Sequence, residues 1–481
     1  MASTRRNVTQ ELVKFITAIQ FDDLPKEVVH EAKRVLLDSV GCALAGIHTD
    51  KGRISIQLAK EFNGKPESTI IGTGDRVSCV HSAFANGELI NALDMDAILY
   101  PGHISPYVIP GPLGLAERMG ASGKDLLLAI ALGHEISERL GESLRGSKKY
   151  IKENSGGRVV ISDVHGLGFC IFGGTAGLGK ILKFDYGKML HAIGIAGHIC
   201  PVPTLAKWQN TDPPSGMTKY LSAGWLGEAE ITAAFLADMG YIGDIDVLDG
   251  KYGFWKFFAS DKWRPDKLVA KIGQEWRFLN IAYKPYPCCR LMHSGLDSFI
   301  KIIEENKLMP EDIEKVNLLL DPLTDMPLWH NREIKTHVDA QFSVPYVFAV
   351  AAHRIRSGVD WQSPSTITNP NIRRFMNKVS FKSHPHFDEI MLKGKMSSLS
   401  CVEVVARGRT FSEEKGWMKG DAFPEEAKMT DGELTEKFRN NASGILTTDR
   451  NDKVVELTFR LDEIKDIREL TNSLVSSPKA E

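Results

Sequence analysis

At 481 residues the chain exceeds what one typical core supports and has room for roughly two to four domains. Its 43% hydrophobic and 25% charged residues are those of an ordinary water-soluble globular protein. The formal net charge of -2, from 59 basic and 61 acidic residues, is well mixed along the chain. That excludes a basic stripe for nucleic acid and a polybasic arm for a membrane, so any substrate charge must be met by a few placed residues.

The first residues pass straight into an amphipathic segment, with no apolar run behind Arg5-Arg6, so a secretory signal is not expected. No stretch of eighteen uncharged apolar residues suggests a membrane span. Leu12, Phe15, Ile16 and Ile19 share one helical face, and Pro25 stands where a first turn tolerates it. Val28, Val29, Ala32, Val35, Leu36, Val40 and Ala43 then form a broad apolar stripe ending at Gly46. Further helices read at about 83–93, 124–140, 169–183, 187–199 and 222–239, rich in Ala, Gly and Leu. Small residues on successive turns let helices approach closely, and residues 1–271 read as one large all-helical domain.

The pattern changes after Trp276. Residues 315–320 and 401–406 read as strands and 344–355 as a helix, giving a smaller α+β domain over 272–428. Residues 431–443 turn helical again, while the tail from Asp452 fits strand or helix. Cysteines 42, 79, 170, 200, 288, 289 and 401 form no C-x-x-C pair, which suits a reducing compartment, the cytosol, and argues against a disulfide scaffold or structural zinc. Gly174-x-x-x-x-Gly179-Lys180 starts like a phosphate loop, but Ile181 replaces the magnesium-binding hydroxyl. Gly166-x-Gly168 lacks the third glycine of a dinucleotide fingerprint, and His384-Pro-His386 has no third ligand nearby.

Four polar islands stand in apolar surroundings. Asp94-Met-Asp96 with His103 follows the helix at 83–93. Two carboxylates and an imidazole there suit a general-base site or a cap with a satisfied turn. His165, in Ser162-Asp-Val-His-Gly-Leu-Gly168, is a catalyst or a packed polar group before an apolar helix. Lys219 opens a Gly/Ala-rich buried helix, where its charge needs an anion or a route to solvent. The strip Tyr283-Lys-Pro-Tyr-Pro-Cys-Cys-Arg290 with His293 is extended by its two prolines. Lys284, Arg290 and His293 make either a carboxylate cradle or solvated charges on a rigid linker.

These islands, with residues 36–46, 340–346 and 437–442, resemble the MmgE/PrpD family from about Val8 to Leu474. The resemblance implies a homodimer whose subunits are mainly α. The large helical domain is completed by a returning segment, 429–481, and the α+β domain is inserted as a lid. It resolves the tail as helix. It implies no metal or organic cofactor and places Asp94, His103, His165, Lys219, Lys284 and Tyr346 in the site. The expected activity is that of a lyase, a dehydratase or decarboxylase, acting on a small carboxylic acid. Epimerisation of a dicarboxylate uses the same proton chemistry.

In this scheme Lys219 and Lys284 bind carboxylate with Arg290, Cys289 and His293 nearby. His103 or His165, oriented by Asp94, moves the proton, and Tyr346 donates a hydrogen bond or a proton. Departures from the family pattern at Ala97-Ile98, Cys289 and Ser222 replace polar contacts by apolar ones and argue against a methylcitrate- or citrate-like hydroxy-tricarboxylate. The rival is a thiol hydrolase with Cys288 or Cys289 as nucleophile and His293 as base. A helical binding protein is the non-enzymatic alternative.

Overall fold

The computed structural model describes residues 7–145, 166–202, 205–209, 212–261, 263–392 and 398–476. His165 lies outside them. The chain is mainly helical, and among the described residues no helix is long and apolar enough to cross a membrane.

Helix α1 (Val8–Ala18) is capped by Asn7, which accepts from Gln10 N at 2.9 Å, and buries Leu12, Val13 and Ile16. Helix α2 (Lys26–Gly46) starts directly after Pro25, and every residue from Ala32 to Gly46 is buried. It is therefore an internal helix around which α3 (Asp50–Phe62) and α4 (Cys79–Ile90) pack. A Cβ on Gly46 would sit 2.3 Å from the Leu89 carbonyl oxygen, so glycine is required for the crossing of α2 and α4. On its other side α4 meets α8 (Ala223–Asp238) as closely: a Cβ on Gly224 would lie 2.4 Å from Phe84 O. Helix α4 is thus clamped between two neighbours, which fixes the loop that leaves its C-terminus. Helices α5 (Gly123–Arg145), α6 (Cys170–Ile181) and α7 (Tyr186–Ile199) complete this layer. The Gly174–Lys180 segment is interior helix, and Lys180 reaches the end of α1 with Nζ donating to Ile19 O at 2.6 Å.

The apolar core of residues Val8 to Tyr283 continues in Met429 to Leu474, through α12 (Asp431–Ala442) and α13 (Thr448–Phe459). A second core spans Cys288 to Ala406, with Trp208. In it α9 (His293–Glu305), α10 (His337–Phe342) and α11 (Val344–Ala352) accompany four strands: β1 (Ile313–Leu320), β2 (Val379–Ser383), β3 (Ser400–Ala406) and β4 (Arg409–Lys415). Their order is β2-β1-β3-β4. β1 and β2 are parallel (Val316 opposite Val379), while β1–β3 and β3–β4 are antiparallel (Leu318 opposite Val402, Val404 opposite Phe411). Arg407 and Gly408, both at positive φ, make the two-residue turn before β4. Val402, Val404 and Ala406 are buried on one face of β3, and α9 packs against β3 and β4. Strands β2 and β4 were not expected from the sequence. The tail from Asp452 is helical rather than strand.

Candidate active site

After Ile90 the chain makes an irregular turn that carries both carboxylates of the first island. Asp94 adopts φ 57° and its partner Lys219 φ 43°, left-handed values uncommon for residues with a Cβ. Ile98 pairs with Ala282 through two backbone hydrogen bonds of 2.7 and 2.8 Å. This bridge brings Lys284, two residues further on, opposite Asp94.

Asp94 is fully buried and is the centre of the site. Its Oδ2 accepts from Lys284 Nζ at 2.6 Å, and its Oδ1 from Lys219 Nζ at 3.2 Å and Tyr220 OH at 3.0 Å. Lys219 also donates to Asn91 O at 2.9 Å. Burial opposes a charge on Asp94, but Lys284, Lys219 and His103 outweigh it and hold the carboxyl far below its usual range. Burial pulls Lys219 down to about 8, helped by the charges of Lys51 and Lys284 and opposed by Asp94.

His103 folds back over the tight turn Leu99–Gly102, but onto a carboxylate other than the expected Asp94. Its Nδ1 lies 2.7 Å from Asp96 Oδ2. Asp94 Oδ1 is 3.6 Å from Nε2, an electrostatic contact beyond hydrogen-bond reach. Asp96, whose Oδ1 accepts from Asn91 Nδ2 at 3.2 Å, is therefore the group that orients the ring, not Asp94. Burial opposes the charge of Asp96, and His103 and Lys284 outweigh it, so its carboxyl stays below the ordinary value. With Nδ1–H given to Asp96, Nε2 is the atom left for proton transfer. Tyr220 stacks on the imidazole at 4.7 Å between ring centres.

The remaining expected residues divide. The strip from Tyr283 does not stay extended: Cys288 N bonds to Tyr286 O at 3.0 Å and bends it. Lys284 alone enters the cluster. Arg290 donates to Asp421 Oδ1 at 2.6 Å and to the Tyr283 and Lys419 carbonyls. His293 is buried, with Nε2 3.2 Å from Cys288 O. Burial and the charges of Arg290 and Lys284 push its pKa well below the ordinary value. Burial, reinforced by Asp94, lifts the Cys289 thiol to about 12, and burial lifts the Cys288 thiol well above its ordinary value. Both thiols are thus held protonated, and His293 faces a carbonyl oxygen instead of sulfur. Tyr346 donates its hydroxyl to Trp361 O at 2.6 Å, so the phenol next to Asp94 is that of Tyr220.

Other residues position these. Lys437 of α12 donates to Asp38 Oδ1 of α2 at 2.6 Å and to Met95 O at 2.7 Å, fixing the carboxylate loop from beneath. From the second core, Gln341 donates to Ala92 O and Gln362 to Leu93 O, both at 2.8 Å. Phe342 lies 6.3 Å from the Tyr220 ring. The site therefore sits where the two cores meet. Asp96 stood in the first polar island, but the orienting role was expected of Asp94; Tyr220 was missed because a tyrosine beside Lys219 carries no signal apart from its neighbour. Among the described residues no group of three or more His, Cys, Asp or Glu is placed to hold a metal ion.

A buried imidazole–carboxylate pair next to two ammonium groups has the parts of an acid–base centre for an anionic compound. The sequence matches the MmgE/PrpD N-terminal domain over residues 10–266 and the MmgE/PrpD C-terminal domain over residues 286–461. It is 27% identical to the human cis-aconitate decarboxylase, over 98% of this chain and 95% of that protein. Identity to the cis-aconitate decarboxylase of Aspergillus terreus is 25%, over 99% of this chain and 98% of the relative. The Aspergillus oryzae cis-aconitate decarboxylase-like protein is 22% identical over 96% of both chains. The chain belongs to the MmgE/PrpD family, and the family together with these relatives marks it as an enzyme.

Proposed function

We propose that the protein is a cofactor-independent lyase, a decarboxylase or dehydratase, that transfers a proton next to a carboxylate of a small di- or tricarboxylic acid. The observation that carries this is the buried cluster in which Asp94 joins Lys219 and Lys284 while Asp96 orients His103. An ammonium group has three donors. Among the described contacts Lys219 spends two and Lys284 one, which leaves donors for a substrate carboxylate. That carboxylate, held by both lysines, accepts the electron pair released when the neighbouring C–H or C–CO2 bond breaks. His103 Nε2 takes the proton in an elimination or returns one after loss of carbon dioxide. Tyr220 takes the hydrogen-bonding role expected of Tyr346.

The relatives' names favour decarboxylation. Epimerisation by the same proton transfer is the second outcome of the test, and the high thiol pKa values disfavour a cysteine hydrolase. Because Asp94 is fully buried and His103 nearly so, substrate entry requires opening. We assign that motion to residues 272–428 acting as a lid over a helical body formed by 1–271 and 429–481. A homodimer in a reducing compartment, the cytosol, completes the reading. The exposed Met239, Tyr241, Ile242, Tyr252 and Phe257 support a subunit contact, and the cysteines, none of them in a disulfide, support the compartment. The test is incubation with a panel of di- and tricarboxylates in deuterated water, read by proton NMR. Decarboxylation, elimination and exchange give separate signals, and silence across the panel would overturn the reading.

A further inference from the structure

Helix α3 brings a third lysine to the edge of this site. Lys51 is 3% exposed, and its Nζ stands 3.0 Å from Glu88 Oε2. That ion pair lies off the line of a hydrogen bond, and Lys51 Nζ makes none among the described residues. Glu88 spends its other oxygen on Ser222 Oγ at 2.6 Å and Gly224 N at 2.8 Å, so it is anchored towards α8. Helix α10 carries His337, 6% exposed, whose Nε2 also has no partner among the described residues. The turn that carries His337 is fixed on the site. Asp339 Oδ1 accepts from Ser215 N at 2.9 Å, four residues before Lys219, and Gln341 holds Ala92 O. Lys51 and Lys219 both act electrostatically on His337, which burial and those two charges bring down to about 4. Lys51 likewise acts on Lys219. Lys51 and His337 are thus two buried side chains, each with a nitrogen that has no hydrogen-bond partner among the described residues, and near enough to Lys219 for the charges to act on one another; a buried polar atom left so is costly unless a ligand meets it.

We propose that Lys51 and His337 form a second anion subsite, which takes a distal carboxylate of the substrate while Lys219 and Lys284 hold the one next to the reacting carbon. The subsite rests on the carboxylate reading of the Asp94 cluster. It makes His337 and Lys51 specificity determinants for a substrate that carries one carboxylate more than the chemistry consumes. The neutral imidazole donates through Nε2–H, and the ammonium supplies the charge.

The test uses two unreactive probes, propane-1,2,3-tricarboxylate and butanoate, which carries a single carboxylate, titrated by calorimetry into the full-length protein and into His337→Gln and Lys51→Met. The wild type should bind the tricarboxylate more tightly than butanoate. Each variant should lose about tenfold in affinity for the tricarboxylate and less than about twofold for butanoate, as expected for a single lost charge-assisted contact. Thermal melts accompany the titrations. If Lys51→Met does not fold, because Glu88 then loses its counter-charge, His337→Gln decides alone. Equal losses for both probes, or none for either, overturn the subsite while leaving the carboxylate reading intact. Failure of the wild type to bind either probe overturns both.

Discussion

Replacing Asp96 by asparagine keeps the size of the side chain and removes the charge that orients His103. Asp96 is fully buried, with Oδ2 2.7 Å from His103 Nδ1. A hydrogen bond to a charged partner in such a place contributes about 1.5–3 kcal/mol. The loss is expressed when the imidazole takes up a proton in the transition state, because the neutral amide no longer stabilises the cation. At about 1.4 kcal/mol per decade of rate, kcat should fall by about 10- to 150-fold. KM should change little, because neither substrate-binding lysine touches Asp96 in the described contacts. The assay is steady-state kinetics on the substrate found in the carboxylate panel, with near-UV circular dichroism to confirm the fold. A folded Asp96→Asn enzyme with kcat within a factor of about two of wild type would show that the Asp96–His103 pair does not serve the reaction.

Glu230 of α8 is fully buried with neither carboxyl oxygen hydrogen-bonded among the described residues, and burial lifts its pKa well above the usual carboxyl value. The folded state therefore holds a proton that the unfolded state releases above about pH 4.5. Stability is lost as pH rises, at up to about 1.4 kcal/mol per unit. Glu230→Gln should raise the Tm at pH 8 more than at pH 5, and an equal shift at both would refute this. Lys219, brought to about 8, carries its charge below that pH, so kcat/KM should decline as pH passes through 8. A profile flat to pH 9.5 would contradict its role in carboxylate capture. Cys289→Ala should retain turnover, since its thiol stays protonated up to about 12; an inactive but folded variant would revive the thiol route.

The helical part of the fold was legible because buried helices repeat apolar residues every three to four positions, and α2 does so over five turns. Strands β1 and β3 were legible because they are the central strands of the sheet and apolar. β2 and β4 are edge strands. In β4, Arg409, Thr410, Ser412 and Glu414 are exposed, a polar pattern that resembles a loop. In the site, Asp94, His103, Lys219 and Lys284 stood out as polar residues in apolar surroundings, where a charge needs a partner. The spacing could not decide which of two carboxylates faces His103, since Asp94 and Asp96 both lie within one turn of loop from it. Nor could it foresee the bend at Tyr286–Cys288, which sends Arg290 to Asp421. Lys51 and His337 were invisible because each stands among other polar residues at the start of a helix, and only the tertiary fold brings them towards Lys219.

In the proposed reaction His103 moves the proton at the carbon beside the substrate carboxylate. The most direct measurement is proton NMR of substrate and product in deuterated water for wild type and His103→Asn, at protein concentrations that saturate the substrate. Wild type should place deuterium at the reacting carbon, and His103→Asn should retain binding while giving neither product nor exchange. Deuterium incorporation by His103→Asn at the wild-type rate would contradict this role.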